Sequence, residues 1–123
     1  MTIIEAINRI DSLKPNNYTQ EDKIKWLSTI DGVIKKEIID THEGADAVIF
    51  NGYDTDTALD TVLIVPAPYD DIYVKWLEAQ IDYFNGETAK FNNSIAMYNT
   101  AYSVFERYYN RTHMPIGKSI KFF

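Results

Sequence analysis

The longest regular pattern in the sequence is a run of apolar residues that recurs every three or four positions from Val74 to Tyr109. This spacing places the residues along one side of an α-helix, and the pattern passes through Gly86 without losing register. The run predicts either one helix of about 40 residues, about 60 Å long at 1.5 Å per residue, or two helices with a bend at Asn85 and Gly86. Its members, of which only Thr88 is polar, are Val74, Leu77, Ile81, Phe84, Thr88, Phe91, Ile95, Tyr98, Tyr102, Phe105 and Tyr109.

Within this run, an aromatic residue followed by asparagine repeats every seven residues, as FN at residue 84, FN at residue 91 and YN at residue 98. The aromatic residues are expected to bury a large apolar area, with the amides at the edge of the buried stripe. A helix of about 60 Å is longer than a compact domain of this size covers, since the expected radius of gyration is about 14 Å. The amides are therefore predicted either to form the ordinary polar margin of a packed core or to contact other subunits.

The first 40 residues are predicted to form two helices. Thr2 and Glu5 have the spacing of a capping box, and apolar residues then follow at helical spacing until the chain approaches Pro15. Thr19 precedes an acidic first turn and is predicted to cap the second helix. The apolar stripe of that helix consists of Ile24, Leu27, Ile34 and Ile38.

Residues 41–69 have a different character. The short β-branched runs AVIF and TVLIV are separated by the turn-rich segment NGYDTDTALD. This arrangement predicts two strands joined by a long polar loop. Because an isolated pair of strands is marginal in water, it would need helices or another subunit to pack against.

Together these patterns predict a mainly α protein, a helical bundle with one long C-terminal helix at about 70–110 and a small β-hairpin-like middle segment. The length of 123 residues fits a single domain over 1–123. Its parts are two N-terminal helices (1–40), an acidic strand and loop segment (41–69), the long helix or two helices bent near Gly86 (70–110), and a basic extended tail (111–123).

The charges are divided unevenly along the chain, whose net charge is −6. Eight acids and no Lys or Arg lie between Asp40 and Asp71, whereas four basic residues and no acid follow Glu106. Such a division is typical either of solvated segments or of complementary patches in an assembly. The overall acidity, with a pI of about 4.8, argues against specific nucleic-acid recognition.

No catalytic or metal-binding motif is complete in this sequence. The chain has no Cys, and His42 with Glu43 lacks the second histidine of a zinc-protease motif, because Asp46 stands at that position. The calcium-loop pattern that begins at Asp54 lacks its glycine and its final glutamate. We therefore expect no enzymatic activity, no metal and no cofactor; a hydrolase would require Asp70, Asp71 and His113 to converge.

Neither a signal peptide nor a run long enough to cross a bilayer is evident in the sequence. The expectation is a protein that stays in the cytoplasm in which it is made and has no membrane partner.

The segment that begins VPAPYDDIYVKW and ends YYNRTHMP, together with the capped N-terminal helix, resembles small structural proteins encoded in the head-tail gene region of prophages in Gram-positive bacteria. It is similar to the head-tail connector, or adaptor, proteins of tailed bacteriophages, most closely over residues 66–115. The resemblance implies a mostly helical virion protein of the phage neck. Such proteins form rings, commonly of about a dozen subunits, that join the portal to the tail and extend the DNA channel.

The implied partners are other copies of the chain, the portal protein, tail and neck proteins, and DNA that passes without sequence-specific binding. The implied location is the host bacterial cytoplasm during assembly and then the virion neck. From the charges we predict a head-to-tail contact between neighbouring copies. It would join Arg107, Arg111, Lys118 and Phe123 of one copy to Asp54, Asp56 and Asp60 of the next.

The alternative from another class of function is a cytoplasmic helical interaction module or regulator. Such a module would use the aromatic stripe of residues 84–109 as a groove for a partner helix.

Overall fold

The computed structural model describes residues 1–116. These residues form four α-helices, α1 (Ile3–Leu13), α2 (Gln20–Glu37), α3 (Ile72–Phe84) and α4 (Thr88–Thr112). Three single-turn 3₁₀ helices lie at Ile39–Thr41, Ala45–Ala47 and Tyr69–Asp71. The prediction of a mainly α protein is confirmed. Two residues of the predicted contact, Lys118 and Phe123, lie outside the described residues.

Both N-terminal helices begin at the predicted caps. The Thr2 hydroxyl accepts a hydrogen bond from the amide of Glu5, and the Glu5 carboxylate accepts one from the amide of Thr2, at 3.2 and 2.8 Å. Thr19 and Asp22 form the same reciprocal pair at the start of α2. Each box satisfies amides that a helix end otherwise leaves unpaired. The predicted stripe of α2 is buried, from Ile24 to Ile38.

Of the two alternatives for the C-terminal stripe, the single long helix is wrong, whereas two helices are observed with their break at Asn85 and Gly86. The chain does not merely bend there but reverses between Phe84 and Thr88. Gly86 has a φ of +73°, a left-handed backbone conformation that residues other than glycine rarely adopt. α3 and α4 then run antiparallel, as contacts across them show. Ser94 donates to Asp82 beside the turn, and farther along the rings of Trp76 and Tyr98 lie 4.9 Å apart.

The apolar stripe keeps its register through Gly86 because the turn returns α4 with its apolar side facing α3. Burial along the stripe follows the hairpin instead of a straight helix. Leu77 and Phe105 are buried, whereas Phe84 at the turn is 55% exposed. Helix α4, with 25 residues, is about 37 Å long. The predicted subunit contact based on a helix of about 60 Å therefore loses its support.

The predicted β-hairpin is also not observed, since residues 1–116 contain only isolated bridges. The first predicted strand, residues 47–50, does not form: Ala47 ends the 3₁₀ turn Ala45–Ala47, and residues 48–50 have no regular secondary structure. The second, residues 61–65, lies extended against the start of α1. There the Thr61 carbonyl accepts from Ile3, and the Leu63 amide donates to the Met1 carbonyl, at 3.0 and 2.9 Å. These bonds occupy groups that a strand partner would otherwise use.

The core lies where α1 and α2 pack against the α3–α4 hairpin, with residues 63 and 65 of the middle segment inserted from one side. Its largest fully buried side chains include Ile3, Leu27, Ile34, Tyr73, Leu77 and Phe105. Within residues 1–116, no helix has both the length and the apolar character needed to cross a membrane.

Candidate interaction surface

A buried carboxylate holds the middle segment against the helices. Asp31 of α2 is fully buried and accepts hydrogen bonds from the Tyr53 hydroxyl at 2.5 Å and the Ile64 amide at 3.1 Å. The hydroxyl of Tyr73 in α3 donates to its other oxygen at 2.5 Å and accepts from the Val65 amide at 2.7 Å. One carboxylate thus links α2, α3 and both ends of the loop that carries Asp54, Asp56 and Asp60.

The environment of this cluster shifts the pKa values of its ionisable side chains. Burial raises the pKa of Asp31, and the hydrogen bonds from Tyr53, Tyr73 and Ile64 oppose that shift. Within the described part of the chain no cation pairs with Asp31. Burial, and then the nearby Asp31 carboxylate, raise the pKa values of Tyr53 and Tyr73. The cluster is a closed structural junction, because each polar group already bonds to another protein group.

The acidic loop, defined here by Asp54, Asp56 and Asp60, faces solvent. Asp54 closes a turn, since its carboxylate accepts from the Asp56 amide at 2.8 Å and from the Thr57 hydroxyl at 3.3 Å. The side chains of Asp56 and Asp60 are exposed. In residues 1–116 none of these three carboxylates takes part in an ion pair.

The basic end consists of Arg107 and Arg111, on the last turns of α4. Both side chains are exposed, and neither belongs to an ion pair with any described residue. No hydrogen bond or ion pair between described residues joins the basic end to the acidic loop of the same chain. Among residues 1–116, the opposite charges predicted to meet in an assembly are therefore not paired with each other.

The three residues that a hydrolase would require, Asp70, Asp71 and His113, each contact a different residue. Asp70 accepts from the Met1 amine at 3.3 Å, Asp71 pairs with Lys75 at 3.2 Å, and the His113 ring stacks on Tyr109 at 3.7 Å. None of these contacts joins one of the three to another. Among the described residues, no three His, Cys, Asp or Glu side chains group in a way that would hold a metal ion.

An open groove lies beside the α3–α4 turn and is called here the aromatic groove. Its volume is about 270 Å³, and its lining residues are Asp82, Tyr83, Gly86, Glu87, Thr88, Phe91 and Asn92. The rings of Tyr83 and Phe91 lie 5.5 Å apart, and Tyr83 is 59% exposed. No Lys or Arg lines the groove, whereas two carboxylates do. Both carboxylates are paired, Glu87 with Lys90 at 2.7 Å and Asp82 with Lys14, so the groove presents mainly aromatic surface.

Contacts from α2, from α4 and from the segment between α1 and α2 hold the residues around the aromatic groove in place. Asp82 is buried and accepts from Lys14 at 2.5 Å and from Ser94 at 2.9 Å. On the adjoining surface, the ring of Phe84 stacks on Trp26 with centroids 5.5 Å apart. The Tyr18 hydroxyl donates to the Asn85 side chain at 2.7 Å. These contacts fix the turn relative to α1 and α2.

The aromatic groove and the Asp31 cluster were not predicted from the sequence, although each leaves a signal there. Asn85 and Gly86 form a favoured turn dipeptide in the middle of an apolar run. Asp31 lies four residues after Leu27 and three before Ile34, so a charge stands on the apolar side of α2. A charge on a buried face predicts a satisfied polar cluster.

No protein-family model, curated protein or solved structure matches this chain. The described residues define a small helical protein with three accessible features, namely the acidic loop, the basic end and the aromatic groove.

Proposed function

We propose that the chain is a structural protein of the phage neck that forms a ring, joins the portal to the tail and extends the DNA channel. The proposal begins from the resemblance of residues 66–115 to head-tail connector proteins. It is supported by one observation above all, that the acidic loop and the basic end are both exposed and lack ion-pair partners among residues 1–116. Opposite charges left free on one chain are available for neighbouring copies.

In this proposal each copy presents Arg107 and Arg111 to the acidic loop of the next copy. A contact between two different patches is heterologous, and it closes into a ring when the rotation between copies is suitable. The remaining acidic surface would face passing DNA. Binding to DNA phosphates is driven by the release of counterions when basic side chains replace them. A negatively charged wall releases none, so the DNA would move along the channel without binding.

The test is the particle mass by light scattering, with the full chain alone and mixed with the portal protein of the same phage. We expect a portal-sized complex that carries about a dozen copies. The double variant R107E/R111E is expected to lose this complex. The quadruple variant R107E/R111E/D56K/D60K, in which the charges of the two patches are exchanged, is expected to form it again. Raising the salt concentration weakens the unmodified contact.

A matched control is R9E/K36E, because both side chains are exposed and form no ion pair with described residues. This control removes the same charge and should leave the complex intact. A chain that ignores the portal at every salt concentration would rule out the connector function. Equal losses in the control and in R107E/R111E would rule out the specific charge contact.

The second candidate is a cytoplasmic helical interaction module. The predicted stripe of residues 84–109 does not form its groove, because Tyr98, Phe105 and Tyr109 are buried. The aromatic groove at the α3–α4 turn favours this candidate instead. Apolar burial is much less sensitive to salt than a surface charge contact. A partner protein whose affinity stays constant as salt rises, and falls when Phe91 becomes Ala, would support this candidate over the connector.

A further inference from the structure

Helix α4 carries a second row of apolar residues beside the row that faces the core. The core-facing row in its C-terminal half consists of Tyr98, Tyr102, Phe105 and Tyr109. Each of these is preceded by an apolar residue, and the preceding residues, called here the outer stripe, are Met97, Ala101, Val104 and Tyr108. Each is followed by a polar residue, namely Asn99, Ser103, Glu106 and Asn110. Because successive helical residues are about 100° apart, the core-facing row has one apolar edge and one polar edge.

The outer stripe is partly exposed and has no charge within it. Tyr108 stacks on Tyr69 with ring centroids 4.5 Å apart, which fixes one end of the stripe. Met97 and Val104 are 46% and 37% exposed. No charged residue stands between positions 91 and 105, whereas the exposed residues of α2 include Glu21, Lys25, Lys36 and Glu37. Depletion of charge around exposed apolar side chains is typical of the centre of a protein interface.

The proposed charge contact between copies needs such a centre. Exposed ion pairs contribute little to association, because water and salt screen them, and specific interfaces place an apolar centre inside a polar rim. Arg107 and Arg111 lie three residues after Val104 and Tyr108, so they stand beside the outer stripe on the surface of α4. The arginines therefore occupy the position of a rim around the stripe.

We propose that the outer stripe receives the acidic loop of a second copy of this chain, with Val62 of that copy packed against Met97 and Val104. The inference rests on the proposed function and gives the contact between ring neighbours its apolar centre. The carboxylates of the acidic loop then lie beside Arg107 and Arg111.

The acidic loop combines the charge and the apolar group that this surface requires. Val62 follows Asp60 by two residues, so their Cα atoms are about 7 Å apart or less, and Val62 is 69% exposed. Its backbone is held on both sides, since the Thr61 carbonyl accepts from the Ile3 amide and the Leu63 amide donates to the Met1 carbonyl. An aliphatic side chain thus stands on a fixed backbone next to an exposed acid.

Charge selects this loop over the other acidic surface that has exposed apolar residues. The two carboxylates of the aromatic groove already pair with lysines. Within residues 1–116 the three carboxylates of the acidic loop belong to no ion pair, and no hydrogen bond joins them to the basic end of their own chain. Val62, Met97 and Val104 are all exposed in the single chain. The matching surfaces are thus available to another copy.

The test uses engineered thiols, because the chain contains no Cys. The full-length variants V62C and V104C are mixed under oxidising conditions, with and without the portal protein. We expect a disulfide-linked heterodimer, because the contact brings Val62 of one copy beside Val104 of the other. The matched control replaces V62C by I49C, since Ile49 is an exposed aliphatic residue outside the acidic loop. Its cross-link to V104C is expected to form more slowly by about tenfold or more.

Two alanine variants on opposite edges of α4 test the apolar centre. Met97→Ala, combined with V104C, removes exposed apolar area and is expected to slow cross-linking to V62C about tenfold. Asn99→Ala, combined with V104C, is the control, because Asn99 is exposed on the polar edge, and it should leave the rate unchanged. Equal rates for the two would overturn the role of the outer stripe. Circular dichroism of each variant separates loss of contact from loss of fold.

A charge reversal tests the rim. R107E/R111E, combined with V104C, places acids opposite the acidic loop and is expected to slow cross-linking to V62C. Raised salt is expected to slow cross-linking when both arginines are present, because it screens their attraction to the loop. A rate that neither change affects would overturn the position of the arginines in the contact.

Three other results would overturn the proposal. The first is a cross-link inside single chains of V62C/V104C that is independent of protein concentration. The second is rapid dimerisation of V104C alone, which would indicate contact between two α4 helices. The third is no cross-link between V62C and V104C at about 1 mM protein, the weak end of specific association, with or without the portal.

The same experiment separates this contact from the proposed function. If the chain binds the portal although one of these three results is found, the proposed function survives and only this contact fails. If V62C and V104C cross-link although the chain ignores the portal, the contact between copies stands and the connector function fails.

Discussion

Asp31 on α2 accepts a 2.5 Å hydrogen bond from the hydroxyl of Tyr73 on α3, although the two residues are 42 positions apart. The same hydroxyl accepts from the Val65 amide, and the other oxygen of Asp31 accepts from the Ile64 amide. Two side chains therefore satisfy backbone amides that a neighbouring strand would satisfy in a sheet. This relationship explains how a β-branched segment is held in place without pairing as a strand.

Replacing Asp31 by alanine is expected to lower the free energy of unfolding by about 3 kcal/mol, because two hydroxyls and one amide lose their acceptor in a buried site. Urea denaturation of the purified chain measures this change. Asp56→Ala is the matched control, since Asp56 is exposed, and its effect should stay within about 0.5 kcal/mol. Similar losses in both variants would contradict a structural role for the buried cluster.

The stability that depends on Asp31 is expected to vary with pH in the acid range. Its pKa is raised above the usual 3.8, so the folded chain keeps this proton to a higher pH than the unfolded chain does. The contribution is full below pH 3.8 and falls as pH rises through the folded pKa. The difference in unfolding free energy between the natural chain and D31N should therefore decrease from acid toward neutral pH. A difference that increases over that range would contradict the direction of the shift.

At alkaline pH the buried tyrosines are expected to destabilise the fold. Burial, and to a smaller extent Glu37, raise the pKa of Tyr98 to about 12 from a usual value of 10. Burial and the Asp31 carboxylate raise the pKa values of Tyr53 and Tyr73 as well. Their stabilising contribution is full below pH 10 and is lost as pH rises through the folded pKa values. For Tyr98 the range is pH 10 to about 12.

Ultraviolet titration, which detects tyrosinate, is expected to show these tyrosines ionising as the chain unfolds. Tyr98→Phe removes one titrating group and should make the loss of stability above pH 10 less steep. Ionisation of every tyrosine near pH 10 in the folded chain would contradict this prediction.

Two glycines are expected to respond to alanine in opposite directions. Gly86→Ala should destabilise by about 1–2 kcal/mol, because Gly86 has a φ of +73°. Gly32→Ala should stabilise by up to about 1 kcal/mol, because Gly32 lies inside α2 and a Cβ there would contact the Phe50 ring at an ordinary 3.6 Å. Thermal unfolding of the two variants measures both changes. Stabilisation by Gly86→Ala would contradict the observed turn.

The starts of α1 and α2 were predictable because their determinants are local. Thr2 with Glu5, and Thr19 with its acidic first turn, each define a cap within four residues. The apolar stripe of α2 was predictable for a similar reason, since helical spacing alone brings Ile24 and Ile34 to one face.

The reversal at Gly86 and the absence of strands depend on contacts distant in sequence. A stripe in continuous register is compatible with a straight helix or with a hairpin, and packing of Trp76 on Tyr98 distinguishes the two. Residues 61–65 have the composition of a strand but bond to the N-terminal segment and to side chains. The aromatic groove could not be predicted, because it exists only where the hairpin brings Tyr83 beside Phe91.

The hairpin also bears on the order in which the chain folds. Asp82 and Ser94 are only 12 residues apart, whereas Asp31 and Tyr73 are 42 apart. Because closing a short loop loses less entropy, α3 and α4 can meet around Gly86 before the middle segment is fixed to α2. Substitutions at Asp31 should then accelerate unfolding and leave the folding rate nearly unchanged, whereas substitutions at the turn should slow folding.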